Sequence, residues 1–165
     1  MKKLKLMAGI FVPLVILISL ASCKNLIDEM EIKGYRYILS AIEDDELDRL
    51  YLYPYGAFTY KLDFATSGNT VIRTIITWDD EIDETEGTFS VDKNNISLSF
   101  PESEKRTGEK IKMPEERITL SYNKNSGLLS GNINLPQINP NTEEIMEDEI
   151  TQVYGKLRAI SRVSE

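Results

Sequence analysis

The chain contains a single cysteine, Cys23, and the residues before it indicate what its thiol does. Three lysines within the first five residues are followed by an almost unbroken apolar run from Leu6 to Leu20. A basic start, an apolar stretch and then small residues form the order of a secretory signal peptide. The run is shorter than the roughly 20 residues of a permanent membrane-spanning helix, and Pro13 weakens it further. We therefore expect export and cleavage.

The segment Leu20-Ala21-Ser22-Cys23 resembles the lipobox of bacterial lipoproteins. The resemblance implies cleavage of residues 1–22 and lipid on the thiol of Cys23, which becomes the first mature residue. Two or three acyl chains anchor durably, whereas one binds only marginally. The alternative is a free or buried cysteine after an ordinary signal peptide, and such a cysteine has no disulfide partner in this chain. Lys24 stands where an inner-membrane retention signal would carry Asp, so we expect a cell-envelope protein with sorting to the outer membrane allowed.

Residue types that are missing from the chain restrict its chemistry. With no histidine, catalytic triads and imidazole zinc sites are excluded. Acylation of Cys23 would remove the one thiol nucleophile, and no Gly-x-Ser-x-Gly or phosphate-binding glycine loop occurs. We expect a protein that is not an enzyme and has no cofactor or metal site.

Charge and length indicate one acidic domain. Removal of Lys2, Lys3 and Lys5 with the signal peptide leaves 16 cations of 19 against 27 acids, a net charge of −11. Such a surface repels nucleic acid and anionic lipid headgroups, so we expect no nucleic-acid partner and an anchor that is the lipid itself. We predict a lipidated N-terminus and spacer over 23–33, a single domain over 34–160 and a tail over 161–165.

From Gly34 onward, apolar and polar residues alternate with period two between short turn signals, which predicts an all-β domain. Closure of an antiparallel meander of eight to ten strands into a barrel removes its exposed edges, and a barrel-like sandwich is the alternative. The predicted strands are 34–39, 49–53, 57–65, 70–78, 86–91, 95–100, 116–122, 128–134 and 152–159.

Four segments between residues 50 and 133 resemble small lipocalin-like bacterial lipoproteins. In that family a strand-turn-Gly-x-Phe hairpin precedes a Gly-Thr-aromatic strand, a polar turn and an Ile-x-Leu strand. The resemblance implies a barrel-like fold and a binding role, and it carries over no catalytic residues; Gly34-Tyr35-Arg36-Tyr37 stands where true lipocalins have Gly-x-Trp. The matching segments are 52–60, 86–98, 117–122 and 128–131.

Candidate binding residues lie where the meander would gather its long loops. In an up-and-down arrangement residues 79–85, 101–115 and 135–151 share one end, and loops this long are often functional. A basic partner or a calcium ion could bind the first loop, although its spacing does not match an EF-hand, and solvated surface charge is the alternative. Exposed aromatics for a protein or glycan are the second hypothesis, with core packing as its alternative. The candidate residues are Tyr55, Trp78, Asp79, Asp80, Glu81 and Asp83.

Three functions remain open from the sequence. The first is a lipid-anchored, non-catalytic envelope protein that binds a partner through loops at one end of the barrel. The second is a lipocalin-like carrier of a small apolar ligand inside the barrel, and the third is a structural protein of envelope assembly. The inward residues are bulky, which favours a largely filled interior over a hollow one.

Overall fold

The computed structural model describes residues 31–43, 45–46, 57–77, 82–103, 113–138 and 145–163, and it is all-β. Within those residues no helix is long and apolar enough to span a membrane. The strands are β1 (Tyr35–Ile42), β2 (Asp45–Glu46), β3 (Ala57–Phe64), β4 (Thr70–Thr77), β5 (Ile82–Asp92), β6 (Asn95–Phe100), β7 (Glu116–Asn123), β8 (Leu128–Ile138) and β9 (Ile145–Arg162).

A single antiparallel sheet closes on itself. From β3 to β9 each strand pairs with the next, β1 pairs with β3, and β9 pairs back onto β1 from Tyr35↔Arg162 to Ile42↔Gly155. The two-residue strand β2 continues the β3 side of β1, where Ala41 faces Glu46. The eight long strands therefore form a closed meander barrel, which confirms the predicted fold class and decides for the barrel over the sandwich.

The barrel has two ends that differ in their connections. The end near Tyr35, Asn94 and Gly127 carries the short turns 65–69, 93–94 and 124–127, and we call it the turn end. The strand ends that flank residues 78–81, 101–115 and 139–144 lie at the other end, which we call the loop end. The predicted gathering of these connections at one end follows from the meander order.

Alternate residues of each strand fill the interior. Phe64 lies at the centre of an aromatic group, with edge-to-face contacts to Tyr37 (5.7 Å between ring centroids) and Phe89 (5.1 Å). Each such pair contributes about 0.5–1.5 kcal/mol beyond its buried area. Ile32, which precedes β1, is fully buried in the same core and closes the turn end from within. Val91 and Tyr122, which were also predicted to face inward, are half-buried against this core. The predicted inward residues that are buried include Tyr60, Leu62, Phe64, Phe89, Ile96, Leu98, Phe100, Ile118 and Leu120.

Three predicted strand boundaries were wrong because cross-strand pairing continues beyond them. β5 begins at Ile82 and not at residue 86, β8 runs to Ile138, and β9 begins at Ile145. The predicted loops 79–85 and 135–151 are therefore partly strand. Asp83 and Glu84 lie opposite Ile75 and Thr74. The extended parts of β8 and β9 pair with each other: Leu135↔Thr151, Pro136↔Ile150 and Ile138↔Ile145. Ladder hydrogen bonds outweigh the low strand propensity of Asp and Glu. The predicted strand 49–53 lies outside the described residues.

Gly87 allows Phe100 to lie against the barrel wall. A Cβ at Gly87 would stand 2.4 Å from Cδ1 of Phe100 and 2.5 Å from the carbonyl oxygen of Ser99. We expect Gly87→Ala to lower the free energy of unfolding by about 1–3 kcal/mol, the range for overpacked cores. Urea denaturation measures this loss, with Thr88→Ala at the exposed neighbouring position as control. Equal stability of Gly87→Ala and the wild type would contradict this packing.

Candidate functional site

Five polar side chains meet inside the barrel towards the loop end, and we call them the inner polar cluster. Arg73 on β4 lies directly opposite Thr85 on β5, and Asp83 is two residues before Thr85 on the same inward face. Glu116 begins β7, and Tyr60 comes from β3. The aromatic and aliphatic core fills the interior towards the turn end, and the buried side chains of Phe100 and Met113 extend it to the loop end beside the cluster.

Arg73 spans the interior and joins strands that are not neighbours in the sheet. Its guanidinium Nη1 donates to Glu116 Oε2 at 2.7 Å, and Nη2 donates to Thr85 Oγ1 at 3.3 Å. Nη2 also lies 3.5 Å from Asp83 Oδ2, to which Thr85 Oγ1 donates at 3.3 Å. The guanidinium carbon stands 4.8 Å from the centroid of the Phe100 ring. The side chain of Arg73 is 0% exposed and that of Glu116 is 3% exposed, so this ion pair is removed from solvent.

Three polar atoms of the cluster are buried and have no protein partner: Tyr60 Oη, Arg73 Nε and Glu116 Oε1. An unpaired buried polar group costs about 1–3 kcal/mol, and native proteins contain few of them. The cluster offers one donor, one acceptor and one hydroxyl that can act as either. Such a set can hydrogen-bond a small polar group that enters from the loop end.

Burial also changes the titration of the cluster. It raises the pKa of Glu116 above its ordinary value of 4.5, and it outweighs the opposing effects of the Arg73 charge and of a backbone hydrogen bond from Asn134. Burial likewise raises the pKa of the Tyr60 hydroxyl, and the nearby Glu116 charge adds to this rise. The phenol is therefore neutral at physiological pH and available as a hydrogen-bond donor.

The segment after β6 closes part of the loop end. Met113 is fully buried in the core, and its backbone N–H donates to Ser103 Oγ at 2.8 Å. The backbone N–H of Ser103 donates in turn to the carbonyl of Met113 at 2.9 Å. These two hydrogen bonds join the two ends of the connection between β6 and β7 at the loop end of the barrel.

Most residues that the sequence nominated for function lie outside the described part of the chain. These are Cys23, Tyr55, Trp78, Asp79, Asp80 and Glu81. Asp83 is described, and it lies on β5 with its side chain 11% exposed beside Arg73, not in a loop. Its binding role stays a prediction. Within the described residues, no group of three or more Cys, Asp or Glu side chains could hold a metal ion.

Sequence reasoning missed Arg73 and Glu116, although the sequence contains a signal for both. Arg73 alternates in phase with Val71 and Ile75, and Glu116 alternates in phase with Ile118 and Leu120. One charge of each sign at core-facing positions indicates a buried pair.

The cluster predicts a pH dependence that a neutral variant should remove. Because the pKa of Glu116 is raised in the folded protein, the folded state binds the proton more tightly than the unfolded state. The stabilising contribution of protonated Glu116 is complete below pH 4.5 and is lost as the pH rises through the raised pKa. We therefore expect Glu116→Gln to gain stability relative to the wild type as the pH rises from about 4.5 to neutrality.

Urea denaturation across this pH range provides the measurement. Glu115→Gln, which removes an exposed carboxylate next in the chain, is the matched control and should show no such gain. If the wild type instead became more stable relative to Glu116→Gln as the pH rises, the charge of Arg73 would outweigh burial in setting the pKa of Glu116.

Comparison of the chain with protein-family models, with curated proteins and with solved structures gives no significant match.

Proposed function

We propose that this protein is a lipid-anchored, non-catalytic binding protein of the bacterial cell envelope that takes a polar group of its partner into the loop end of the barrel. The observation that carries the proposal is the set of three buried, unpartnered atoms on Tyr60, Arg73 and Glu116. Anchoring rests on the lipobox-like segment that ends at Cys23. The lipocalin-like resemblance supports a binding role, because barrels of that family bind at one open end.

The chemistry of the cluster indicates what kind of group fits. Arg73 Nε needs an acceptor, Glu116 Oε1 needs a donor, and Tyr60 Oη accepts or donates. Arg73 already has two carboxylates within 3.5 Å, on Glu116 and Asp83. An additional anion would therefore meet negative charge. A neutral amide or hydroxyl group, which offers a donor and an acceptor side by side, satisfies the unpaired atoms best.

An apolar ligand inside the barrel, the carrier hypothesis, has weaker support. The interior between the cluster and the turn end is occupied by side chains that bury one another, among them Phe64, Phe89 and Leu98. A ligand that enters from the loop end meets Arg73 and Glu116 first, and an apolar group there would leave their free atoms unpaired.

Tyr60→Phe separates ligand binding from folding. Removing an unpaired hydroxyl leaves the ring in place, so stability should be unchanged or higher, whereas occupancy by the partner should fall. Native mass spectrometry of the purified protein detects a small co-purifying ligand, and affinity capture from envelope extract detects a larger partner. Tyr154→Phe removes a hydroxyl from an exposed tyrosine and is the matched control. Equal occupancy of Tyr60→Phe and the wild type would argue against the cluster as the binding site.

Cys23→Ser tests the anchor by itself. Without the thiol no diacylglycerol can be attached, so incorporation of radiolabelled palmitate should disappear and residues 1–22 should remain uncleaved. Mass spectrometry of the wild-type N-terminus should show an acylated Cys23 as the first residue. A wild-type chain that carries no lipid, or a variant that is labelled as strongly, would refute the proposed anchor while leaving the barrel site untested by that result alone.

A further inference from the structure

Charged side chains are separated along the barrel axis. Among the described residues, the turn end carries six cations and three acids, Glu31, Asp63 and Asp92. Two of these acids are paired, Asp63 with Arg36 at 2.6 Å and Glu31 with Lys124 at 2.9 Å. The cations are distributed around the turn end, from the start of β1 through the turns to the end of β9. They are Lys33, Arg36, Lys93, Lys124, Arg158 and Arg162.

The loop end has the opposite sign. Its described charged residues are mainly acids, and the exposed cation Arg117 lies 3.6 Å from Glu115. The acids are Glu43, Asp83, Glu84, Glu102, Glu115, Glu116 and Glu149. An eight-residue strand with the usual barrel tilt of about 40° spans roughly 20 Å along the axis. This length exceeds the Debye length of about 8 Å at physiological ionic strength, so the two ends act on their surroundings separately.

The chain enters the barrel at the basic end. Gly34 donates its backbone N–H to the carbonyl of Phe64 at 3.0 Å, and Ile32 is buried beneath it, so residue 31 lies at the turn end. Glu31 is eight positions after Cys23 in the chain. A fully extended chain of that length reaches at most about 29 Å. A lipid on Cys23 would therefore hold the turn end within about 29 Å of the membrane.

We propose that the turn end is a docking surface for anionic phospholipid headgroups of the membrane that holds the anchor. The inference rests on the lipid anchor of the proposed function and adds an orientation to it. The net charge of −11 would repel an anionic surface if it were spread evenly. The described acids lie mainly at the loop end, where salt screens them from a membrane at the turn end. Docking leaves the loop end and the inner polar cluster directed away from the membrane and accessible to a partner.

A groove at the turn end fits this occupant. It has a volume of about 520 Å³ and opens to solvent between the β5–β6 and β7–β8 turns. Amide, hydroxyl and ammonium groups supply hydrogen-bond donors of the kind that phosphate oxygens accept. The lining residues are Asn94, Ser121, Tyr122, Asn123, Lys124, Asn125 and Ser130.

Fluorescence quenching in reconstituted vesicles tests the orientation on the full mature protein. Acylated Cys23 leaves one new thiol for labelling, either at the turn end in Ser67→Cys or at the loop end in Pro114→Cys, both of which are exposed positions. The probes are vesicles of phosphatidylcholine alone and of phosphatidylcholine with phosphatidylglycerol, each containing a headgroup-linked quencher. The ratio of quenching in labelled Ser67→Cys to quenching in labelled Pro114→Cys should increase when the anionic lipid is present and should decrease again at high salt.

Charge reversal at two matched arginines makes the test specific. Arg158 and Arg117 are exposed residues on outer strand faces at opposite ends of the barrel. A cation near an anionic surface contributes about 1 kcal/mol, so Arg158→Glu should reduce the ratio of docked to undocked protein by about fivefold or more, and Arg117→Glu should leave it unchanged. Equal effects of the two substitutions, or equal quenching in both vesicle types, would overturn the docking surface. Failure of the anchor would appear differently, as a second reactive thiol at Cys23 and a protein absent from the vesicles.

Discussion

The pairing of β9 with β1 is the constraint on which the rest of the structure depends. Without it the meander would be an open sheet with two unpaired edges and one buried face at most. With it, each strand has an inner and an outer face, and the molecule has two ends. Every functional feature follows from that division, since a charged residue that alternates inward must find a partner within the barrel.

The inner polar cluster shows how the barrel accommodates that requirement. Arg73 and Glu116 lie 43 positions apart in the chain, on strands separated by β5 and β6, and they meet because a guanidinium is long enough to cross the interior. Phe100 provides an aromatic face for the guanidinium, and the missing side chain of Gly87 gives that ring its place. The arrangement satisfies two of the three guanidinium nitrogens and one of the two carboxylate oxygens. An arrangement selected for stability alone would more readily place apolar residues at these positions, so the incompletely paired atoms are the strongest indication of a ligand.

Charge distribution and chain direction give the molecule a consistent polarity. Residues 31–34, the short turns and six of the described cations are at one end, and seven of the described acids and the long connections are at the other. An overall charge of −11 describes neither end, because ionic screening at physiological salt acts over distances shorter than the barrel. Composition therefore predicted repulsion from an anionic membrane, whereas the placement of individual side chains supports attraction at one surface.

The sequence by itself determined the all-β class, the meander and the residues that face the core, because period-two alternation and turn residues are local signals. It also placed the connections 79–85, 101–115 and 135–151 at one end. It made the first and the third too long, because local propensity does not include the ladder hydrogen bonds that hold Asp83 in β5 and extend β8 to Ile138. Only the tertiary structure decided that the sheet closes, that Ile32 fills the turn end and that Arg73 meets Glu116. Closure and the buried ion pair depend on contacts between residues more than 40 positions apart, and the pattern of neighbours along the chain contains no measure of those distances.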